Sequence, residues 1–340
     1  SLDNEKSIND NKKVDTWKES LMKNKILNIV AIIISLAIFV YFFIYKNGLH
    51  QLVIVLKVIN IWWIIAAIAL MFVYWALEVF IIHGLSKLLF KKQKLRGSIK
   101  AAMVGQFYAS ITPLQTGAQP AIYYVLESEG IDPASASSIL VMKFIIHQTT
   151  LTIYSFIIII LKYNYFISKI PGIFYLCLAG FIFNFGIILT AVMFSINKKV
   201  TKALLLGGSK FLCKIKLLKN WQKSVDKIEK GLDDFHDNAI FIAKNYKTVF
   251  RIVIINTAQL TVFYVIPYII FRAFNLEYAS LWNMLAAQTL VMLIVSITPL
   301  PGGAGGAEGG FVLLFTMFFK ENILPDRKST RLNSSHQYYL

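Results

Sequence analysis

The chain has 340 residues, of which 56% are hydrophobic and 16% are charged, and its formal net charge is +17 at pH 7. Because soluble domains carry about 25% charged residues, this composition excludes an ordinary soluble domain and indicates a membrane protein. The apolar runs are continuous and long enough to cross a bilayer as helices, whereas a membrane β-barrel would need alternating residues. The sequence therefore predicts an all-α, polytopic helical membrane protein.

The first part of the chain predicts a tail and two membrane spans. Residues 1–25 are polar, and the spans follow at 26–45 and 61–83. The tail and the segment 84–100 each hold six Lys or Arg, while the loop between the two spans holds two. Positive charge collects on the cytoplasmic side of a membrane. We therefore predict that the N-terminus and the segment 84–100 both face the cytoplasm.

The next segment, 101–130, is apolar but is interrupted by Pro113 and Gly117. Continuous spans follow at 134–161 and 172–196. Counting membrane crossings back from the lysine-rich region after these spans places both ends of the interrupted segment on the cytoplasmic side. It is predicted to be a re-entrant pair of half-helices or a broken hairpin.

A basic region at 197–247 holds twelve lysines and five acidic residues, and it is predicted to be cytoplasmic. From Trp221 to Phe235 its apolar residues recur at helical spacing, with lysines between them. The pattern fits an interfacial helix lying on an anionic inner leaflet. It fits equally a helix that packs across the cytoplasmic ends of the spans. A further span at 248–271 leads to a second interrupted segment at 280–319.

The two interrupted segments share a motif. SITPLQTGAQP at 110–120 and SITPLPGGAGG at 296–306 agree at seven of eleven positions. The predicted membrane domain covers residues 26–325. By the span count, the chain enters the first motif from the cytoplasm and the second from outside. Two Pro/Gly-broken segments of opposite orientation are typical of an inverted repeat in a transporter. The alternative is a chance match, because Pro and Gly are frequent in membrane helices.

Helix breaks inside a membrane expose backbone N–H groups, and half-helix N-termini suit anionic groups such as a lipid phosphate. On this ground the residues of the two breaks are candidates for lipid binding, although small residues also serve close helix packing. The candidates are Pro113, Gly117, Pro299, Pro301, Gly302, Gly303 and Gly305.

Ionisable residues within predicted spans are functional candidates by default, because burying a charge in a membrane is costly. Glu308 follows the second glycine run, and Lys143 lies well inside the span 134–161 with His147 one turn further on. Lys143 could pair with Glu308, neutralise a lipid phosphate or extend its side chain to the interface. Glu78 is a further candidate. Glu308 and Lys143 complete the predicted lipid-binding set.

Enzyme signatures are missing from the sequence, which contains no HExxH, CxxC, P-loop or GxSxG motif. We therefore assign no catalytic residue, no cofactor and no metal ligand. The positive charge is attributed to anionic phospholipids as partners rather than to nucleic acid. The oligomeric state is left open, a homo-oligomer included.

The motifs TPLPGGAGGAEGGFVLLF and ITPLQTGAQPAIYYVLESEGI, within many apolar spans, resemble the transmembrane region of lysylphosphatidylglycerol synthetases. This is also called the flippase-like or multiple peptide resistance factor family, and the resemblance covers about residues 26–325. In the first motif, Gln115 and Thr116 stand where the family usually has Pro-Gly, and Ile122 and Tyr123 occupy the region of its basic residue.

The resemblance implies two activities. One is translocation or binding of anionic or aminoacylated phospholipid by a multi-pass protein of a bacterial cell membrane. The other is transfer of lysine from lysyl-tRNA to phosphatidylglycerol, which full-length members perform with an added cytoplasmic domain. No segment outside the spans of this chain is large enough for such a domain, so we expect the first activity. Phosphatidylglycerol lysyltransferase remains the alternative.

The last residues, 326–340, are polar and carry no helical pattern. We predict that they are not native to the protein and that the membrane domain is truncated before a further span.

Overall fold

The computed structural model describes residues 59–112, 115–169, 172–214, 221–277 and 279–296, together with 310, 311, 314, 315 and 318. The predicted span 26–45, most of the second glycine run and the tail 326–340 lie outside these residues.

The described residues form nine α-helices joined by short connections, and none of them is in a strand. Four of the helices are long and apolar enough to cross a membrane: α1, α4, α5 from Leu178 onward, and α8. This confirms the predicted all-α polytopic class. The helices are α1 (Ile61–Leu89), α2 (Leu95–Ile111), α3 (Ala118–Ser128), α4 (Pro133–Lys169), α5 (Ile173–Ile196), α6 (Lys198–Lys214), α7 (Trp221–Lys244), α8 (Tyr246–Ala273) and α9 (Leu281–Ser296).

Helices α1 and α8 are an antiparallel pair at the centre of the described bundle. Near one end, a Cβ added at Gly84 would lie 2.8 Å from Ile252 Cδ1, so the glycine allows the two helices to approach closely. At the other end the guanidinium of Arg272 lies 5.5 Å from the ring centroid of Trp63. Helix α4 contacts both members of this pair. The three helices therefore share one interior.

One end of the bundle collects the lysine-rich connections, and we call it the basic end. The predicted basic segment 84–100 is mostly helical, since α1 continues to Leu89 and α2 begins at Leu95. Lysine favours helix and can extend a long side chain from it to water, so the charge pattern marked the membrane boundary without marking the helix ends. A cytoplasmic location of this end remains a prediction.

Helix α7 lies across the basic end. Its Phe235 carbonyl accepts a hydrogen bond from Ser138 Oγ of α4, at 2.9 Å, and its His236 Nδ1 donates to Ser195 O of α5, at 2.8 Å. Both Phe235 and His236 are buried. Of the two interpretations of this amphipathic segment, the structure favours a helix that packs across the ends of the spans.

Helix α6 is tied to α7 at the surface. Lys198 Nζ lies 2.6 Å from Asp233 Oδ1, and both side chains are exposed. The hydrogen bond lowers the pKa of Asp233 and raises the pKa of Lys198. An exposed pair of this kind contributes little to stability.

The first broken segment forms a helical hairpin of α2 and α3. Its open end lies at the basic end, where Lys100 Nζ is 3.9 Å from Glu129 Oε1. At its turn, Thr112 Oγ1 donates to Tyr108 O at 2.6 Å and accepts from the backbone N–H of Gly117 at 2.9 Å. The threonine of the SITPL motif thus caps the break and satisfies backbone groups that the interruption leaves free.

The second broken segment also folds back on itself. Helix α9 ends at Ser296, and the next described residue is Gly310. A Cβ added at Gly310 would lie 3.4 Å from Ile294 and 3.5 Å from Val291, so the chain returns alongside α9. Residues 297–309, which hold the second set of candidates, lie outside the described residues. The inverted repeat therefore stays a prediction.

We expect Gly105→Ala to destabilise the first hairpin. A Cβ there would lie 2.6 Å from Ile122 Cγ1, and overpacking of this kind costs about 1–3 kcal/mol. The melting temperature of the purified protein in detergent should fall. Adding Ile122→Ala to make room should recover part of the loss.

The matched control is Gly231→Ala in α7, where no described atom lies within 4 Å of the added Cβ. This variant should melt at or above the native temperature. Equal melting of the Gly105 and Gly231 variants would show that α2 and α3 do not pack as closely as described.

Candidate functional site

A buried ion pair joins α1 and α4 in the middle of the bundle. Lys143 Nζ lies 2.5 Å from Glu78 Oε1, and the two side chains are only 13% and 8% exposed. Removing two charges from water costs several kcal/mol per ion unless each finds a partner. The pairing supplies that partner, and Lys143 does not extend its side chain to the interface.

Helix α8 completes the surroundings of the pair. Gln259 Nε2 donates to Glu78 Oε2 at 3.0 Å, and Gln259 Oε1 accepts from Asn256 Nδ2 at 3.0 Å. The same Asn256 amide donates to His147 Nδ1, also at 3.0 Å. We call these five residues the central polar network. It connects α1, α4 and α8 at one level of the bundle.

The network has an acceptor to spare. Asn256 Oδ1 is buried and has no hydrogen-bond partner among the described residues. The hydroxyl of Tyr264, two turns further along α8, is also buried and also has no hydrogen-bond partner among the described residues. Unsatisfied buried polar atoms are uncommon in proteins and call for an explanation such as a bound ligand or water. Two polar atoms of α8 in the bundle interior thus have no hydrogen-bond partner among the described residues.

A second polar cluster connects α4, α5 and the second broken segment. Asn184 of α5, fully buried, accepts a hydrogen bond from Gln148 of α4 and donates to Ser296 Oγ at 2.8 Å. Ser296 is the first residue of the second SITPL motif. Gln148 directly follows His147 on α4. Asn184 thus links Ser296, at the start of the second break, to Gln148, and Gln148 is the residue after His147 of the central polar network.

An apolar groove lies between α3, α4 and α5, with a volume of about 700 Å³. One face of α4 between residues 140 and 144 and one face of α5 between residues 182 and 194 form most of its walls, and we call it the central groove. Gln119 of the first SITPL motif lines it too, and its Oε1 is buried without a partner among the described residues. Asn184, which binds Ser296, directly follows the groove residue Phe183. The first broken segment therefore lines the groove, and the second contacts α5 at the residue next to a groove residue.

Of the nine residues in the predicted lipid-binding set, the structure describes two. Gly117 lies in the turn of the first hairpin, and Lys143 lies in the central polar network. The remaining candidates are outside the described residues: Pro113, Pro299, Pro301, Gly302, Gly303, Gly305 and Glu308.

Sequence reasoning named both Lys143 and Glu78 but did not pair them. It missed Asn256 and Gln259, whose signal was a pair of amides three residues apart in the middle of an apolar span. Such spacing puts two side chains on one helix face. Among the described residues no three His, Cys, Asp or Glu side chains come together as a metal site would require.

The membrane-length helices and the broken hairpins define the class, a polytopic helical membrane protein with a polar interior. Comparison with protein families identifies the family to which the chain belongs within that class. Residues 28–323 match the family described as the lysylphosphatidylglycerol synthase TM region, and the chain belongs to this family. Neither the curated proteins nor the solved structures gave a match.

We expect Lys143→Met to destabilise the protein strongly, by about 3–5 kcal/mol, because it leaves the Glu78 carboxylate buried without a counter-charge. Adding Glu78→Gln removes that charge while keeping an acceptor for Gln259, so the double variant should recover most of the loss. Melting temperatures in detergent measure both effects.

The matched control is Lys100→Met, which breaks the exposed contact with Glu129 and should cost less than about 1 kcal/mol. If Lys143→Met melts like this control, the ion pair is not buried as described.

Proposed function

We propose that this chain moves anionic or aminoacylated phospholipids between the two leaflets of a bacterial cell membrane. The observation that carries the proposal is the central groove, an apolar groove in the side of the bundle that α4, α5 and Gln119 of the first broken segment line. Membership of the lysylphosphatidylglycerol synthase TM region family supports a lipid substrate.

The dimensions of the groove suit a lipid chain. From residue 182 to residue 194 of α5 it extends about 18 Å at the rise of an α-helix. Half of the hydrocarbon core of a bilayer is about 15 Å. The groove ends at the basic end next to Ser195, which binds α7. A lipid of that leaflet could lay one acyl chain along it.

Polar groups beside the groove suit a headgroup. The unpartnered Oε1 of Gln119 accepts hydrogen bonds, and both a glycerol headgroup and an aminoacyl ammonium supply donors. Gln148 lies one turn after Phe144 and Asn184 lies directly after Phe183, and both of these phenylalanines line the groove. A headgroup passing the middle of the membrane would exchange hydrogen bonds with these groups instead of entering hydrocarbon, where unsatisfied polar groups are costly.

The orientation of the chain belongs to the same proposal. Lysine-rich connections gather at the basic end, and positive charge favours the cytoplasmic side. We place the basic end and the N-terminus in the cytoplasm. The groove would then take lipid from the inner leaflet.

Lipid transfer by the full chain in vesicles tests the proposal. The vesicles carry a trace of fluorescent phosphatidylglycerol, and a membrane-impermeant reductant bleaches only label in the outer leaflet. With the native chain present, the protected label should become accessible. Gly186→Phe should slow this transfer about tenfold, since a ring filling the groove excludes two or more CH₂ groups at ~0.8 kcal/mol each.

Gly186 suits this experiment because no described atom lies within 4 Å of its added Cβ, so the new side chain enters open groove. The matched control is Leu189→Phe on the same helix, at a position 53% exposed and outside the groove. It should transfer lipid at the native rate. Bleaching no greater than in protein-free vesicles would refute transport, and native transfer by Gly186→Phe would refute the groove as the path.

A further inference from the structure

A second cavity lies at the basic end, away from the central groove. Residues 80–88 of α1 and 248–255 of α8 line it, and its volume is about 400 Å³. We call it the basic cavity. It shares no lining residue with the central groove, which lies between α3, α4 and α5.

The packing of α1 on α8 creates this cavity. Contact between Gly84 and the Ile252 side chain brings the helix backbones close at its floor. On either side of that contact, His83 and Lys87 project from α1, and Thr248 and Arg251 project from α8. His83 is held by a 3.1 Å hydrogen bond between its Nδ1 and Ser98 Oγ of α2. The floor is therefore rigid, while the long basic side chains form the rim.

The charge of the cavity is uncompensated. None of the described residues that line it is acidic, and within the described part of the chain neither Lys87 nor Arg251 takes part in an ion pair. The first turn of α8, capped by Asn245, adds the positive end of the helix dipole. Two permanent cations and a helix N-terminus around one cavity attract an anion, and a guanidinium is well suited to a phosphate.

The remaining walls are apolar. Phe80 is 51% exposed and Leu88 and Ile255 complete the sides, so the cavity joins a charged rim to a hydrophobic surface. A free phosphate ion gains nothing from such walls, whereas a phospholipid presents a phosphate with acyl chains attached. Basic pockets between membrane helices on the cytoplasmic side commonly bind lipid headgroups.

We propose that the basic cavity binds the phosphate group of an anionic phospholipid in the leaflet at the basic end. Lys87 and Arg251 contact the phosphate, Thr248 Oγ1 donates a hydrogen bond to it, and the first acyl carbons lie against Phe80 and Leu88. The site requires only that the helices span a membrane, and it holds whether or not the central groove carries lipid across.

Binding of short-chain phosphatidylglycerol to the full chain in neutral detergent tests this site. The measurement uses the Gly186→Phe background, so that the central groove does not contribute. The double variant Lys87→Gln, Arg251→Gln should bind phosphatidylglycerol about 30-fold more weakly, since each basic residue near an anionic lipid contributes a factor of about five. Arg251→Lys alone keeps the charge and should bind within about threefold of the background.

Lys247→Gln is the matched control, because Lys247 lies one turn before Arg251 on the same helix but does not line the cavity. It removes one positive charge, half of what the double variant removes, and should leave affinity within about threefold. Short-chain phosphatidylcholine should bind weakly, and inorganic phosphate should not displace the bound lipid at equal concentration. Equal loss in the control, unchanged binding by the double variant, or displacement by inorganic phosphate would each overturn the proposal. A failure of lipid transfer in vesicles would not.

Discussion

The burial of one ion pair constrains the arrangement of the three helices at the centre of the bundle. Lys143 and Glu78 lie within apolar helices and are almost fully buried, and each is the other's partner in the interior. Their contact requires that α1 and α4 turn these two side chains toward each other. Gln259 satisfies the second carboxylate oxygen, and this fixes the rotation of α8 as well.

The broken hairpins obey the same rule for the backbone. Thr112 caps the first break with two hydrogen bonds, and Ser296 at the start of the second is held by Asn184. Most buried polar groups are thus accounted for, which makes the exceptions informative. Among the exceptions within the described residues are two acceptors, Gln119 Oε1 beside the central groove and Asn256 Oδ1 in the central polar network.

How much the sequence could predict depends on the range of the interaction. Hydropathy is a local property, so α1, α4, α5 and α8 were predictable, although α1 and α4 continue past the predicted ends at 83 and 161 to Leu89 and Lys169. Lys143 and Glu78 were recognisable because a charge in an apolar span is conspicuous. Their pairing depends on how α1 and α4 rotate, which no local pattern encodes. Asn256 and Gln259 escaped notice because neutral amides are tolerated in membrane helices. For α7 the periodicity was clear, but only the contacts of Phe235 and His236 distinguish packing on the spans from lying on lipid.

The buried ion pair raises the question of why Lys143 and Glu78 are charged. Replacing a buried ion pair with well-packed apolar residues is often neutral or stabilising. Inside a membrane this replacement would be favoured further, because little water is available there to solvate the charges. Stability alone therefore does not explain why Lys143 and Glu78 are charged. The same network includes His147 and Asn256. His147 comes directly before Gln148 on α4, and Asn256 lies one turn after Ile252 on α8. The central polar network thus adjoins the cluster of Gln148, Asn184 and Ser296 along α4 and the contact of Ile252 with Gly84 along α8.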